Sequence, residues 1–264
     1  MAATNLQFSG LLEKAVNEPG ILSAAYSSFH GYSIGNIMAA AAQCAARQIP
    51  LAPIASFNGW KNRGRSVKKG EKAIALCMPV TCKGQRVDAT TGETEEFAFS
   101  RFVWRNNWFV LSQTAGDDYA NEVTTPEWDK TRALAALNIS EGTFDHPDGN
   151  VQGYASGRAI AVSPIAQHPH KTRMHEMAHV LLGHTTESVM ADSPVTPRDV
   201  REVEAESVAY ILCELLDLPG KVESRGYIQS WLNGAQISEK SAQKIFATAD
   251  KLLKAGQAKA AETV

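Results

Sequence analysis

Cysteine is scarce and scattered. The four in 264 residues, Cys44, Cys77, Cys82 and Cys213, show no C-x-x-C spacing, so they read as reduced thiols, with Cys44 and Cys213 as small core residues. Long apolar runs are missing too. None approaches the ~18 residues that span a bilayer, and the start Met1-Ala2-Ala3-Thr4-Asn5-Leu6 has no basic segment followed by an apolar core. These absences predict a cytoplasmic chain with no membrane partner. Neither sign of charge prevails: the formal net charge of −2 excludes a global attraction to polyanions, so any nucleic-acid surface must be a local patch. No internal repeat is visible, which excludes a solenoid.

What is present is ordinary for a folded protein, with 44% hydrophobic and 20% charged residues. A length of 264 exceeds the roughly 100–150 residues typical of one domain and favours two. Residues 6–48, rich in Ala, Leu and Ser, read as two helices broken around Glu18-Pro19-Gly20 and Phe29-His30-Gly31-Tyr32. The texture then changes. Ala73 to Cys82 is strand-like and Glu96 to Leu111 is dense in aromatic and β-branched residues, with turn material at Asp88 to Gly92 between them. Helical patterns return over 126–138 and from 172 to a Lys- and Ala-rich tail expected to fray. The expectation is an α+β protein: a small antiparallel-sheet domain over 1–115, a linker over 116–125, and a mostly helical domain over 126–264.

Within the second domain, His175-Glu176-Met177-Ala178-His179 spells H-E-x-x-H inside a helical stretch that stops at Gly183. Side chains four apart share a helix face, so His175 and His179 can bind one metal ion while Glu176 serves as general base towards a metal-bound water. A catalytic zinc usually takes a third protein ligand. Downstream, Glu202 and Glu206 are four apart on a second helical stretch, with Glu204 rotated by about 160° from either. Glu202 is assigned as the third ligand and Glu206 as the carboxylate that accepts a histidine N–H from behind; the reverse assignment is the alternative. His184 lies past Gly183, a poor ligand that reads as a surface histidine or one backing the site. His168 and His170 read as loop residues and Tyr227 as a core tyrosine that could otherwise face an oxyanion. Gly153 to Pro164 reads as a glycine turn feeding a short strand, which beside a metal helix can bind an extended peptide along its edge.

The first domain holds one concentration of charge. Lys61, Arg63, Arg65, Lys68, Lys69 and Lys72 stand in twelve residues with one anion, just after Phe57 and Trp60. Further on, Arg101, Phe102, Trp104, Arg105, Trp108 and Phe109 intersperse cations with rings. Cations that track phosphates beside rings that stack bases are how single strands are held without sequence readout. A solvated basic loop over an aromatic core is the competing reading.

Three segments now carry a resemblance: Tyr32-Ser33-Ile34-Gly35-Asn36, Trp60 followed by Val67-Lys68-Lys69-Gly70-Glu71-Lys72, and Phe109-Val110-Leu111-Ser112-Gln113-Thr114. They resemble the N-terminal domain of ArdC-type plasmid anti-restriction proteins. The second half resembles the zincin-type metallopeptidase domain that follows it, through the H-E-x-x-H helix, Glu202 with Ala205-Glu206, and Tyr227-Ile228-Gln229-Ser230-Trp231-Leu232. The resemblance implies a domain that binds single-stranded DNA joined to a zinc metallopeptidase domain, with another divalent ion such as Mn²⁺ as the alternative. Such proteins shield incoming conjugative DNA from host restriction. Carried over, His175, His179 and Glu202 are the metal ligands and Glu176 the base, while Trp60, Lys68, Lys69 and Trp104 are candidate DNA contacts. Glu206 departs from the pattern, since related peptidases often have Asn or Asp there. Two readings of different class follow: a peptidase acting on a host or DNA-bound protein, or a protein that coats DNA and keeps a structural metal. An oligomeric state is not implied.

Overall fold

The computed structural model describes residues 6–87, 94–119, 126–185, 196–232 and 235–258, and no disulfide forms among the four cysteines. Helices and strands are mixed. The first half runs α1 (Phe8–Asn17), α2 (Ile21–Phe29), α3 (Ile34–Ala46), β1 (Ile54–Ser56), α4 (Phe57–Lys61), β2 (Arg65–Val67), β3 (Ile74–Val87), β4 (Thr94–Val110) and β5 (Thr114–Gly116). The second half runs α5 (Lys130–Leu137), β6 (Ser140–Glu141), β7 (Gly153–Ser156), β8 (Ala159–Val162), α6 (Pro169–Leu182), α7 (Arg198–Leu215), α8 (Lys221–Leu232) and α9 (Glu239–Gly256).

The packing forms two compact units, Ala42–Asn121 and the combination of Met1–Ala41 with Glu122–Val264. In the first, β4 lies between β1 and β3, antiparallel to both, and a second small sheet pairs β2 with β5. The core gathers at the root of the sheet, where Ala55, Trp60 and Phe109 pack with Val67, Ala73, Leu111 and Tyr119. Buried amides finish the root. Gln43 grips the Ala75 backbone from both sides, its Nε2 donating to the carbonyl at 2.8 Å and its Oε1 accepting from the amide at 2.9 Å. Gln113 Oε1 likewise accepts from the Val110 amide at 2.9 Å. Away from the root, β3 and β4 continue as a two-stranded ribbon whose register reaches Val87 opposite Thr94. There the rings of Phe97, Phe99 and Phe102 are 48%, 43% and 71% exposed.

In the other unit α7 is the spine, buried continuously from Val203 to Leu215. Helices α2, α6, α8 and α9 pack around it, which explains why its apolar residues do not keep to one stripe. Three tertiary bonds bring the start of the chain to its end. Tyr210 donates to the Ala15 carbonyl at 3.0 Å, and Glu239 accepts from the Phe8 and Ser9 amides, each at 3.0 Å. The Glu239 carboxylate thereby caps the first turn of α1, whose own N-cap residue Gln7 supplies no side-chain bond. Alongside, β7, β8 and β6 form a three-stranded sheet with β8 central, so β7 is an edge strand. Gly153 lets that edge sit tight on α6: a Cβ there would lie 2.6 Å from Thr172 Cγ2 and 3.2 Å from Glu176 Cγ.

Several expectations change. Residues 6–48 form three helices, because both breaks end one: Gly20 has left-handed backbone (φ 83°) and Ser33 begins a new helical turn by accepting from the Ile37 amide. The single strand expected after Gly153 is a hairpin that reverses at Gly157 (φ 55°). Sequence texture divides the chain at 115 and 126, whereas packing puts α1 and α2 with the C-terminal helices. Their apolar faces, including Leu11, Leu12, Leu22 and Phe29, meet α7, α8 and α9. The turn at Asp88 to Gly92, most of the linker and the end of the tail lie outside the described residues.

Candidate metal centre and nucleic-acid interface

Helix α6 carries H-E-x-x-H between two well-chosen ends. Pro169 occupies its first turn, where a missing N–H costs nothing, and Gly183 closes it in left-handed backbone (φ 78°). The helical repeat puts His175 and His179 on one face, with Nε2 atoms 3.0 Å apart. From α7, Glu202 Oε2 comes to 3.5 Å of His175 Nε2 and 3.6 Å of His179 Nε2. Tetrahedral ligands with bonds near 2.1 Å are spaced about 3.4 Å apart, so this triangle of two imidazoles and a carboxylate fits a divalent ion. Among the described residues it is the one group of three or more His, Cys, Asp or Glu that can close on an ion.

Behind the triangle each histidine is held. Glu206 Oε2 accepts from His175 Nδ1 at 2.8 Å, and its other oxygen takes the Lys171 ammonium at 2.7 Å. His179 Nδ1 lies 2.9 Å from His184 Nδ1, and His184 Nε2 lies 3.0 Å from Glu204 Oε2. All three glutamates at 202, 204 and 206 are therefore engaged. Glu204 is what sequence reasoning missed, while His184 takes the second of its two readings and stands behind His179. Helix α6 stops at Gly183 and the chain turns back, the His184 amide donating to the His179 carbonyl at 2.9 Å.

The charges follow these contacts. Hydrogen bonds from His175 and His179 hold the Glu202 carboxyl well below the usual carboxylate range. Burial works to raise the Glu206 carboxyl, but His175 and Lys171 overcome it and bring it to about 2. Burial works to lower His175, and the carboxylates of Glu202 and Glu206 outweigh it, carrying the imidazole to about 9. Glu176 goes the other way: burial raises its carboxyl despite the two nearby imidazoles. It lines the same cleft, of about 620 Å³, which the edge strand β7 bounds at Gly153, Tyr154 and Ala155.

Other nominated residues lie elsewhere. His168 is at the N-cap of α6, 3.3 Å from Glu223, and His170 is exposed. Tyr227 is 46% exposed and so is no core residue, and it does not line the cleft.

In the other unit, Trp60 is 1% exposed, with its indole N–H donating to the Phe109 carbonyl at 2.8 Å, and Trp108 is 8% exposed. This corrects the expectation that these two rings stack bases: they are the core of the sheet root. Trp104 is half-buried. The exposed rings are instead Phe57, Phe97, Phe99 and Phe102. Strand alternation puts Phe97 and Phe99 on one face of β4 with Arg101 and Arg105, and Phe102 on the opposite face with Trp104. Of the basic loop, Arg65 is committed to β5 and its flank through Thr114, Gly116 and Asp117, Arg63 donates to the Gly59 carbonyl and Lys68 to that of Ser112. Lys61, Lys69 and Lys72 are exposed and extend the charge into solvent.

Residues 13–105 match the family model described as the N-terminal domain of anti-restriction factor ArdC. No curated protein matches the chain. Among solved structures, its fold is similar to the metal-free crystal structure of the antirestriction ArdC protein from plasmid R388, at 21% identity and a TM-score of 0.51, covering 94% of each chain. The Mn(II)-bound structure of that protein is similar at 18% identity and a TM-score of 0.53, covering 97% of this chain and 99% of that one. At these identities the likeness is one of fold.

Proposed function

We propose that this chain is an ArdC-type anti-restriction protein that binds single-stranded DNA through its sheet unit and hydrolyses peptide bonds at a metal centre in its helical unit, a reading supported by the match of residues 13–105 and by the likeness of fold. The observation that carries the second activity is the triangle of His175, His179 and Glu202 with Glu176 in the adjoining cleft. A divalent ion bound there, zinc or manganese, supplies a Lewis acid and a water of lowered pKa. Glu176, whose carboxyl burial raises, lines the cleft where it would take a proton from the attacking water and deliver it to the amine released as the peptide C–N bond breaks. Glu206 fixes the tautomer of His175, and the open edge of β7 offers backbone groups to an extended peptide of a host or DNA-bound protein. On the sheet unit, Lys61, Arg63, Lys68, Lys69, Lys72, Arg101 and Arg105 track phosphates and the exposed phenylalanines of the ribbon receive bases.

The test compares parent and Glu176→Gln protein, both shown to bind metal and single strands, for peptide hydrolysis and for protection of incoming DNA in a restricting host. Hydrolysis should fall roughly 10²–10⁴-fold and protection with it. Undiminished hydrolysis would sink the mechanism, and full protection without hydrolysis would make DNA coating the function.

A further inference from the structure

We infer that His184 and Glu204 are a positioning pair for His179, a hydrogen-bonded line behind the metal centre that decides which nitrogen of His179 keeps its lone pair. The inference rests on reading His175, His179 and Glu202 as a metal site. Its geometry, however, is independent of any ion.

The direction of the line follows from what each group can donate. Glu204 is 1% exposed, and its Oε2 faces the His184 ring from within the helical unit. An ionised carboxylate only accepts, so the hydrogen in the 3.0 Å contact belongs to His184 Nε2. A neutral imidazole protonated there presents a lone pair at Nδ1. That lone pair faces His179 Nδ1 at 2.9 Å, which must then be the donor. His179 Nε2 is left with its lone pair, and it is the atom 3.0 Å from His175 Nε2 and 3.6 Å from Glu202 Oε2. The opposite order, with His184 Nδ1 donating to His179, would leave the His184 Nε2 lone pair against the Glu204 carboxylate. A solvated glutamate on a helix face explains none of this, since the side chain of Glu204 is buried within unit helices and that of His184 is 6% exposed.

The two histidine ligands are thus fixed differently. His175 meets a carboxylate directly, whereas His179 reaches one only through a second imidazole. The added step compensates for the geometry of α7, on which Glu204 points away from the face that carries Glu202 and Glu206.

The test has two readouts. Long-range ¹H–¹⁵N correlation on the metal-free protein reports which nitrogen of each histidine is protonated, with His184 expected at Nε2 and His179 at Nδ1. Competition against a chromophoric chelator gives the affinity for Zn(II) and Mn(II). Glu204→Leu should lower it roughly 10–100-fold, and Glu204→Gln, whose amide oxygen still accepts, by less. Parent-like affinity in folded Glu204→Leu protein, or a proton on His184 Nδ1 in the parent, overturns the inference. If the leucine variant does not fold, the glutamine variant and the parent spectrum decide. A parent that shows the stated tautomers but binds neither ion keeps the hydrogen-bonded line and removes the metal reading instead.

Discussion

Glu202 is 38% exposed at its side chain, more open than the two histidines it faces, yet its oxygen completes the triangle. Glu202→Ala should therefore lower metal affinity by at least about tenfold with little loss of helix, because α7 is held by its buried residues and not by this one. A retained full equivalent of metal, measured by chelator competition, would hand the ligand role to Glu206. At this scale the sequence was legible where spacing alone decides geometry. His175, Glu176 and His179 could be placed because four residues make about one helical turn. Glu202 and Glu206 could be paired for the same reason, and Glu206 makes its contacts with Lys171 and with His175 Nδ1 rather than with the Nε2 atoms that Glu202 faces. Trp60 and Trp108 were not legible. An indole next to a basic loop looks the same in sequence whether it faces solvent or donates to a buried carbonyl, and only the tertiary partner tells them apart.

Elements show the same contrast. Strands β3 and β4 and helix α6 were expected within a few residues of where they lie, since alternation, aromatic density and a glycine stop are local signals. The partners of α1 and α2 were not, because an amphipathic stripe does not name what it packs on. Two predictions belong here. Lys68→Ala with Lys69→Ala should weaken single-strand binding and flatten the slope of log affinity against log salt by about 1.4, the release expected for two phosphates. A salt titration with an unchanged slope would remove this loop from the phosphate track. The second concerns Glu239, whose carboxyl is lowered from the ordinary 4.5 by its bonds to the Ser9 and Phe8 amides despite burial. A folded value below the unfolded one means that its stabilisation is complete above pH 4.5 and is lost as pH falls through the lower folded value. Denaturant midpoints of Glu239→Gln should thus trail the parent at neutral pH and converge on it in acid; a constant gap would show that the cap is not ionic.

For the molecule as a whole, the two units predict how it can be cut. Ala42–Asn121 is one continuous segment with its own core, and should fold and bind single strands alone. A chain that begins at residue 126, without α1 and α2, bares the flank of α7 and α9 and should unfold at lower temperature or aggregate. Thermal denaturation followed by circular dichroism checks both. Among the described residues no helix is long and apolar enough to cross a membrane.

The cap that Glu239 places on Phe8 spans 231 residues of chain. At a ribosomal rate of roughly 5–20 residues per second, α1 waits about 10–50 s between leaving the ribosome's active centre and meeting its partner. Through that interval the sheet unit can close on itself while the apolar faces of α1 and α2 stay uncovered. Synthesis from the N-terminus would thus complete the sheet unit first and the helical unit last, with the first thirty or so residues as natural clients of a holding chaperone.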